Sequence, residues 1–125
     1  MHCINVSILL GKTIIDITNN NDEEIVFKTD DGQIYKMLHE QDCCESVFIE
    51  DIVGNLGDLL HSPVLMAEEV SQNDEGAEES GTWTFYKFAT LKGYVTIRWY
   101  GSSNGYYSES VDFIELDLKE YEWEE

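Results

Sequence analysis

Soft and hard metal ligands crowd one short stretch of the chain, His39 to Val47, which reads His-Glu-Gln-Asp-Cys-Cys-Glu-Ser-Val. It holds one of three histidines, two of three cysteines and three carboxylates. Zinc takes thiolate, imidazole or carboxylate ligands, usually four in a tetrahedron. His39 and Cys43 stand four residues apart, a spacing that puts them on one face of a helix and equally on one face of a strand. Cys44 joins them only if the chain bends between Asp42 and Cys44, and Asp42 is the reserve fourth ligand. An adjacent cysteine pair is poorly built for bonding to itself, because the ring closed is small and distorts the peptide. The stretch therefore points to a structural zinc held by His39, Asp42, Cys43 and Cys44, with Glu40 or Glu45 as the base if the ion were catalytic. Two-knuckle C-x-x-C spacing is missing. The bland alternative buries one cysteine as a small apolar side chain and leaves His39 in a loop.

The second constellation is acidic. Glu68, Glu69, Asp74, Glu75, Glu78 and Glu79 fall within twelve positions, and Glu109, Asp112, Glu115 and Asp117 could line the same side of a sheet. Across the chain, 26 Asp and Glu against 7 Lys and Arg leave a net charge of −19. Such a field disfavours nucleic acid and anionic membranes as direct partners and favours a basic protein surface. DNA carries one charge per ~1.7 Å of duplex axis, and a groove built for it is lined with Lys and Arg. A face dense in carboxylates can occupy that groove, so the six acidic residues from Glu68 to Glu79 are the candidate partner-binding set. A solvated surface that serves solubility is the bland alternative. The aromatic cluster Trp83, Phe85, Tyr86, Tyr94, Trp99, Tyr100, Tyr106 and Tyr107 is read as cross-strand packing. Only Lys87, Lys92 and Arg98 lie near it, too few for the basic groove of a single-strand platform. Gly101 to Gly105 lacks the lysine and following helix of a P-loop, and Ser108 and Ser110 have no histidine near them in sequence.

The elements that must position these residues read as follows. At 125 residues with 42% hydrophobic and 12% aromatic side chains, the chain is one acidic domain, 1–125, with a real core. No signal peptide or spanning segment is expected, and three cysteines, two of them adjacent, suit a reducing cytoplasm. Strands are expected over 12–18, 23–29 and 33–38, separated by the Asn19 to Asp22 turn and the Asp30-Asp31-Gly32 turn. Residues 1–11 suit a short helix or a strand lead-in. Apolar residues from Val47 to Leu60 recur at three-to-four spacing, which predicts a helix over about 49–60 that Ser62-Pro63 ends. Further strands are expected over 64–71, 82–90, 94–100 and 106–118, with an acidic loop over 72–81. The predicted fold is α+β: a twisted antiparallel sheet of about six or seven strands with one helical insertion on one face.

Two stretches carry a resemblance: the His39–Val47 run, and Lys-Gly-Tyr-Val-Thr-Ile-Arg-Trp-Tyr-Gly-Ser-Ser-Asn-Gly-Tyr-Tyr-Ser-Glu-Ser-Val-Asp-Phe at 92–113. Over most of 10–116 the chain resembles a family of small uncharacterised bacteriophage and prophage proteins. Within the matched run stand His39, Asp42, Cys43 and Cys44, whereas His2, Cys3 and His61 lie outside it. The resemblance implies a phage protein similar to the anti-CRISPR inhibitors, some of which block Cas9-type nucleases. Its expected function is to bind a basic nucleic-acid-handling host protein, such as a CRISPR effector nuclease with a positively charged channel, and to block DNA loading in the bacterial cytoplasm. The alternatives are a zinc-dependent phage enzyme centred on His39 and Cys43, and a virion or assembly protein whose charge is only for solubility.

Overall fold

The computed structural model describes residues 2–116, and of His2 the backbone only. Among these residues, nine strands build two antiparallel sheets. They are β1 (His2–Cys3), β2 (Ile14–Asn20), β3 (Glu24–Thr29), β4 (Ile34–Leu38), β5 (Ser46–Val53), β6 (Met66–Asn73), β7 (Ser80–Thr90), β8 (Gly93–Ser103) and β9 (Asp112–Leu116). The first sheet runs β1-β9-β4-β3-β2, with β1 contributing two residues, and the second runs β5-β8-β7-β6.

The expected α+β fold with a helical insertion is thereby corrected to a nearly all-β one. Residues 49–53 of the predicted helix belong to strand β5, followed by one 3-10 turn, Leu56–Leu59, capped where the Asn55 side chain accepts from the Gly57 N–H (2.8 Å). The cause of the misreading is a β-bulge. Ile49 faces Trp99 and Asp51 faces Arg98, so Glu50 is an extra residue in the ladder. A bulge inserts one position. The core-facing residues Val47, Ile49 and Ile52 are then spaced by two and then by three, and the three mimics a helical period.

The first meander follows expectation. Asn21 and Asp22 turn with φ of 57° and 60°, left-handed values that Asn and Asp tolerate at a hairpin tip. Of the described part of residues 1–11, His2–Cys3 is β1 and Val6–Leu9 is a 3-10 turn that buries Val6 and Leu9. The predicted last strand is cut short. Residues 106–111 are loop, β9 spans Asp112–Leu116, and 117–118 lie outside the described residues. The predicted acidic loop shrinks to 74–79, because β6 and β7 extend into it.

The core lies between the sheets. Ile25, Phe27, Tyr35, Met37 and Phe113 come from the first, and Ile49, Tyr86, Phe88, Val95, Ile97 and Trp99 from the second. Phe27 joins the two, with ring centroids 5.9 Å from Phe88 and 6.0 Å from Phe113. The Trp99 indole N–H reaches the Met37 sulfur at 3.2 Å, so its single polar atom is answered across the core. Along the inward face of β7 the order is Phe88, Tyr86, Thr84, Thr82, Ser80. Apolar packing gives way to hydroxyls towards the 74–79 end, and there the structure opens into clefts.

Candidate functional site: a His–Glu corner and an acidic hairpin

The His39–Val47 stretch is the connection from β4 to β5, and its organiser is Glu45. Glu45 is almost fully buried. Its carboxylate accepts the backbone N–H of Cys43 (2.9 Å) and of Asp42 (2.9 Å), and the Nε2 proton of His39 (2.8 Å). His39 also donates from Nδ1 to the Ser110 carbonyl (2.7 Å), tying this loop to the one between β8 and β9. The Gln41 amide donates to the Glu45 and Cys43 carbonyls and closes the loop on itself. The Cys43 N–H is the largest influence on Glu45. With the His39 and Asp42 bonds it outweighs burial and holds the carboxyl down at about 2.

That arrangement bears on the four expected zinc ligands. Both ring nitrogens of His39 are engaged by protein groups, and Cys43 and Cys44 are bonded to each other. The expectation that this adjacent pair would not close on itself is corrected. Asp42 is exposed, with its backbone rather than its carboxylate at the corner. As they stand, the four residues share a loop but do not present a tetrahedral donor set, so they do not fit the ion in this arrangement. Cys3, outside the stretch, is an exposed free thiol.

The six acidic candidates share the hairpin of β6 and β7. Glu68 and Glu69 are successive residues on β6, so they point to opposite faces. Glu68 lies across from Lys87 on the outer face, and Glu69 turns towards Thr82 and Thr84. Glu75, Glu78 and Glu79 are exposed at the tip. Asp74 is the exception, because it builds the turn. Its carboxylate accepts the Gly76 N–H (3.0 Å) and the Tyr100 hydroxyl (2.8 Å), and its own N–H donates to Gly81 (2.8 Å). The bond to Asp74 raises the Tyr100 phenol above its ordinary range. Tyr100 also packs on Trp83, with centroids 4.5 Å apart, and the Arg98 guanidinium lies 5.3 Å from the Trp83 ring centroid while bonded to Glu50. The remaining acidic residues do not share one side: Asp112 and Glu115 belong to β9 of the other sheet, and Asp117 lies outside the described residues.

A cleft of about 460 Å³ joins the two constellations, with Cys44 on one wall and Glu78 and Glu79 on the other. A second cleft, about 290 Å³, opens beside it between β6, β7 and residues 107–111. Its wall depends on Gly101, because a Cβ there would stand 2.7 Å from the Glu109 carbonyl oxygen and 2.9 Å from the Glu109 Cβ. The 104–111 loop folds onto β8 only because that side chain is missing. Gly101→Ala should therefore displace the loop and lower stability by about 1–3 kcal/mol. Chemical denaturation measures the loss, and amide shifts confined to 104–111 locate it. An unchanged midpoint would show that the loop gives way freely.

The sequence reading missed Glu45 as an organiser and Glu109 as a cleft residue. Glu45 gathers its donors from its own loop, the Asp42 and Cys43 N–H groups and His39, once that loop has folded, whereas Glu109 acquires Thr82 from 27 residues away.

The class defined by this fold and site is an all-β, two-sheet protein with a buried His–Glu corner and a projecting acidic hairpin. The chain belongs to a family described as a domain of unknown function (DUF7448), whose model matches residues 7–113. That span contains the corner, the hairpin and both clefts. No curated protein matches the chain, and no solved structure does. Among the described residues no helix is long and apolar enough to cross a membrane.

Proposed function

We propose that this protein is a binding module whose acidic hairpin docks on a basic protein surface of the kind that otherwise holds polynucleotide. The observation that carries the reading is the exposure of Glu68, Glu75, Glu78 and Glu79 on one hairpin whose turn is held by Asp74 and Tyr100. A net charge of −19 adds long-range attraction to any such surface. The narrower form is a phage-encoded, anti-CRISPR-like inhibitor that enters the cationic channel of a Cas9-type nuclease in the bacterial cytoplasm and blocks DNA loading. It rests on the sequence resemblance and on charge complementarity.

Capture from a lysate of a CRISPR-bearing bacterium, read by mass spectrometry, identifies the partner, and purified nuclease then allows kinetics. Association should slow by on the order of tenfold or more between about 0.05 and 0.3 M salt. The triple variant Glu75→Gln, Glu78→Gln, Glu79→Gln should show a lower rate and a shallower salt dependence. Salt-indifferent association, or a triple variant binding at the wild-type rate, would overturn the reading.

A structural zinc belongs to this proposal on one condition, reduction of the Cys43–Cys44 pair and release of a His39 nitrogen. Elemental analysis of protein purified under a dithiol decides it: one zinc per chain, lost in Cys43→Ser, supports the ion, and metal-free folded protein removes it.

A further inference from the structure

The smaller cleft differs from the exposed acidic tip because it is walled. Glu69 and Ser71 of β6, Ser80, Thr82 and Thr84 of β7, and residues 107–111 line it. Its volume, about 290 Å³, stands at the lower end of small-molecule sites, roughly 300 Å³. Two features require a ligand of particular chemistry.

The first is charge. Burial raises the Glu109 carboxyl, but hydroxyls of Ser103, Thr82 and Ser80 donate to it and hold it below the usual carboxylate range. Thr82 lies 2.7 Å from Oε1, and Ser103 meets Oε2. Glu69 brings a second carboxylate, and among the described residues no Lys, Arg or His lines the cleft. Neutral donors orient Glu109 but leave its charge unmatched.

The second is Thr84. It is 3% exposed, yet its hydroxyl has no hydrogen-bond partner among the described residues. Among those residues no fully enclosed side-chain polar atom lacks a partner. The Thr84 oxygen therefore opens onto the cleft that the residue lines, where it is able to accept a hydrogen bond from an occupant.

We propose that this cleft binds a primary alkylammonium group, carried by a lysine side chain of a partner or by a free polyamine. An ammonium offers three donors and a positive charge. Glu69 and Glu109 neutralise the charge, the Thr84 hydroxyl accepts one N–H, and the alkyl stem lies along the Tyr107 side of the wall. An alkyl chain fills a volume that a bare divalent ion would leave empty, and two carboxylates with hydroxyls are a sparse set for such an ion. Small amines can bind whether or not the hairpin docks on any protein, so this proposal and the proposed function fail separately.

The test titrates the intact protein, at about 0.15 M salt to screen diffuse attraction, with Nα-acetyl-lysine methylamide and with spermidine. Amide shifts should move at β6, β7 and 107–111. Tighter binding of the lysine compound assigns the site to a protein lysine, and tighter binding of spermidine assigns it to free polyamine. Glu69→Gln and Glu109→Gln should each weaken binding about tenfold or more, and Thr84→Val roughly threefold to tenfold. Asp16→Asn, with the same change of charge on β2, should leave it unaltered. Thr84→Val keeps strand propensity and side-chain shape, so it remains informative if a carboxylate variant folds poorly. Equal binding of the neutral norleucine analogue, equal loss in Asp16→Asn, or no shifts at these residues would overturn the proposal.

Discussion

Glu45→Gln is expected to unfasten the corner between the two loops and to lower the thermal midpoint by roughly 10 °C or more. A carboxylate can accept from the Cys43 N–H, the Asp42 N–H and His39 together. A glutamine has one oxygen and one NH2, so at least one of those donors would face another donor and be left unsatisfied. The pH dependence separates this loss from simple misfitting. The folded carboxyl is held at about 2, below its ordinary value of 4.5. A depressed carboxyl contributes stability that is fully present above the unfolded value and disappears as pH falls through the folded one. The wild type should therefore lose stability from about pH 4.5 down to about pH 2, and Glu45→Gln should lose less over that window. Asp31 remains as an internal reference. It is also held at about 2, first by its bond to Lys12 (2.6 Å) and then by the Thr29 hydroxyl, and its share of the acid limb persists in the variant. Urea midpoints taken across pH 2–6 measure both. Parallel profiles for wild type and variant would mean that Glu45 is not held as described.

The other large effect belongs to the core. Trp99→Ala should cost about 3–5 kcal/mol, the range for removing a large buried aromatic side chain. Trp99 is fully buried on β8 and contacts the first sheet through Met37. Native domains are stable by roughly 5–15 kcal/mol, so the loss takes a large share of the total and the urea midpoint should fall steeply. Trp99→Phe keeps most of the apolar volume and loses the indole N–H, so it should fall well short of that cost. Urea denaturation followed by far-ultraviolet circular dichroism distinguishes the three proteins. A Trp99→Ala midpoint within error of wild type would mean that the two sheets are not joined through this residue.

Many of the strands were legible because half-buried strands alternate and their turns are chemically marked. Asn21-Asp22 and Asp31-Gly32 sit at real turns, and residues 82–90 and 94–100 lie within β7 and β8. The helix over 49–60 was misread because periodicity counts residues along the chain, whereas burial follows the ladder. One unpaired residue, Glu50, shifted the pattern by a position. The last strand was overextended because Tyr106 to Val111 is as rich in strand-forming residues as β9. The close approach at Gly101, with the His39–Ser110 and Thr82–Glu109 bonds, draws it away as a loop.

The sequence by itself determined the anionic character of this protein, its turns, most of its strands and the crowding of reactive side chains between His39 and Glu45. Those properties are local or additive, so composition and spacing carry them. Tertiary structure decided what the reactive side chains do. His39 meets Ser110 from 71 residues away, and Glu109 meets Thr82 from 27. Glu45 finds its donors inside its own loop, but that loop is anchored through His39 to Ser110, and Glu109 becomes a waiting site only because the fold brings Thr82 within about 3 Å of it.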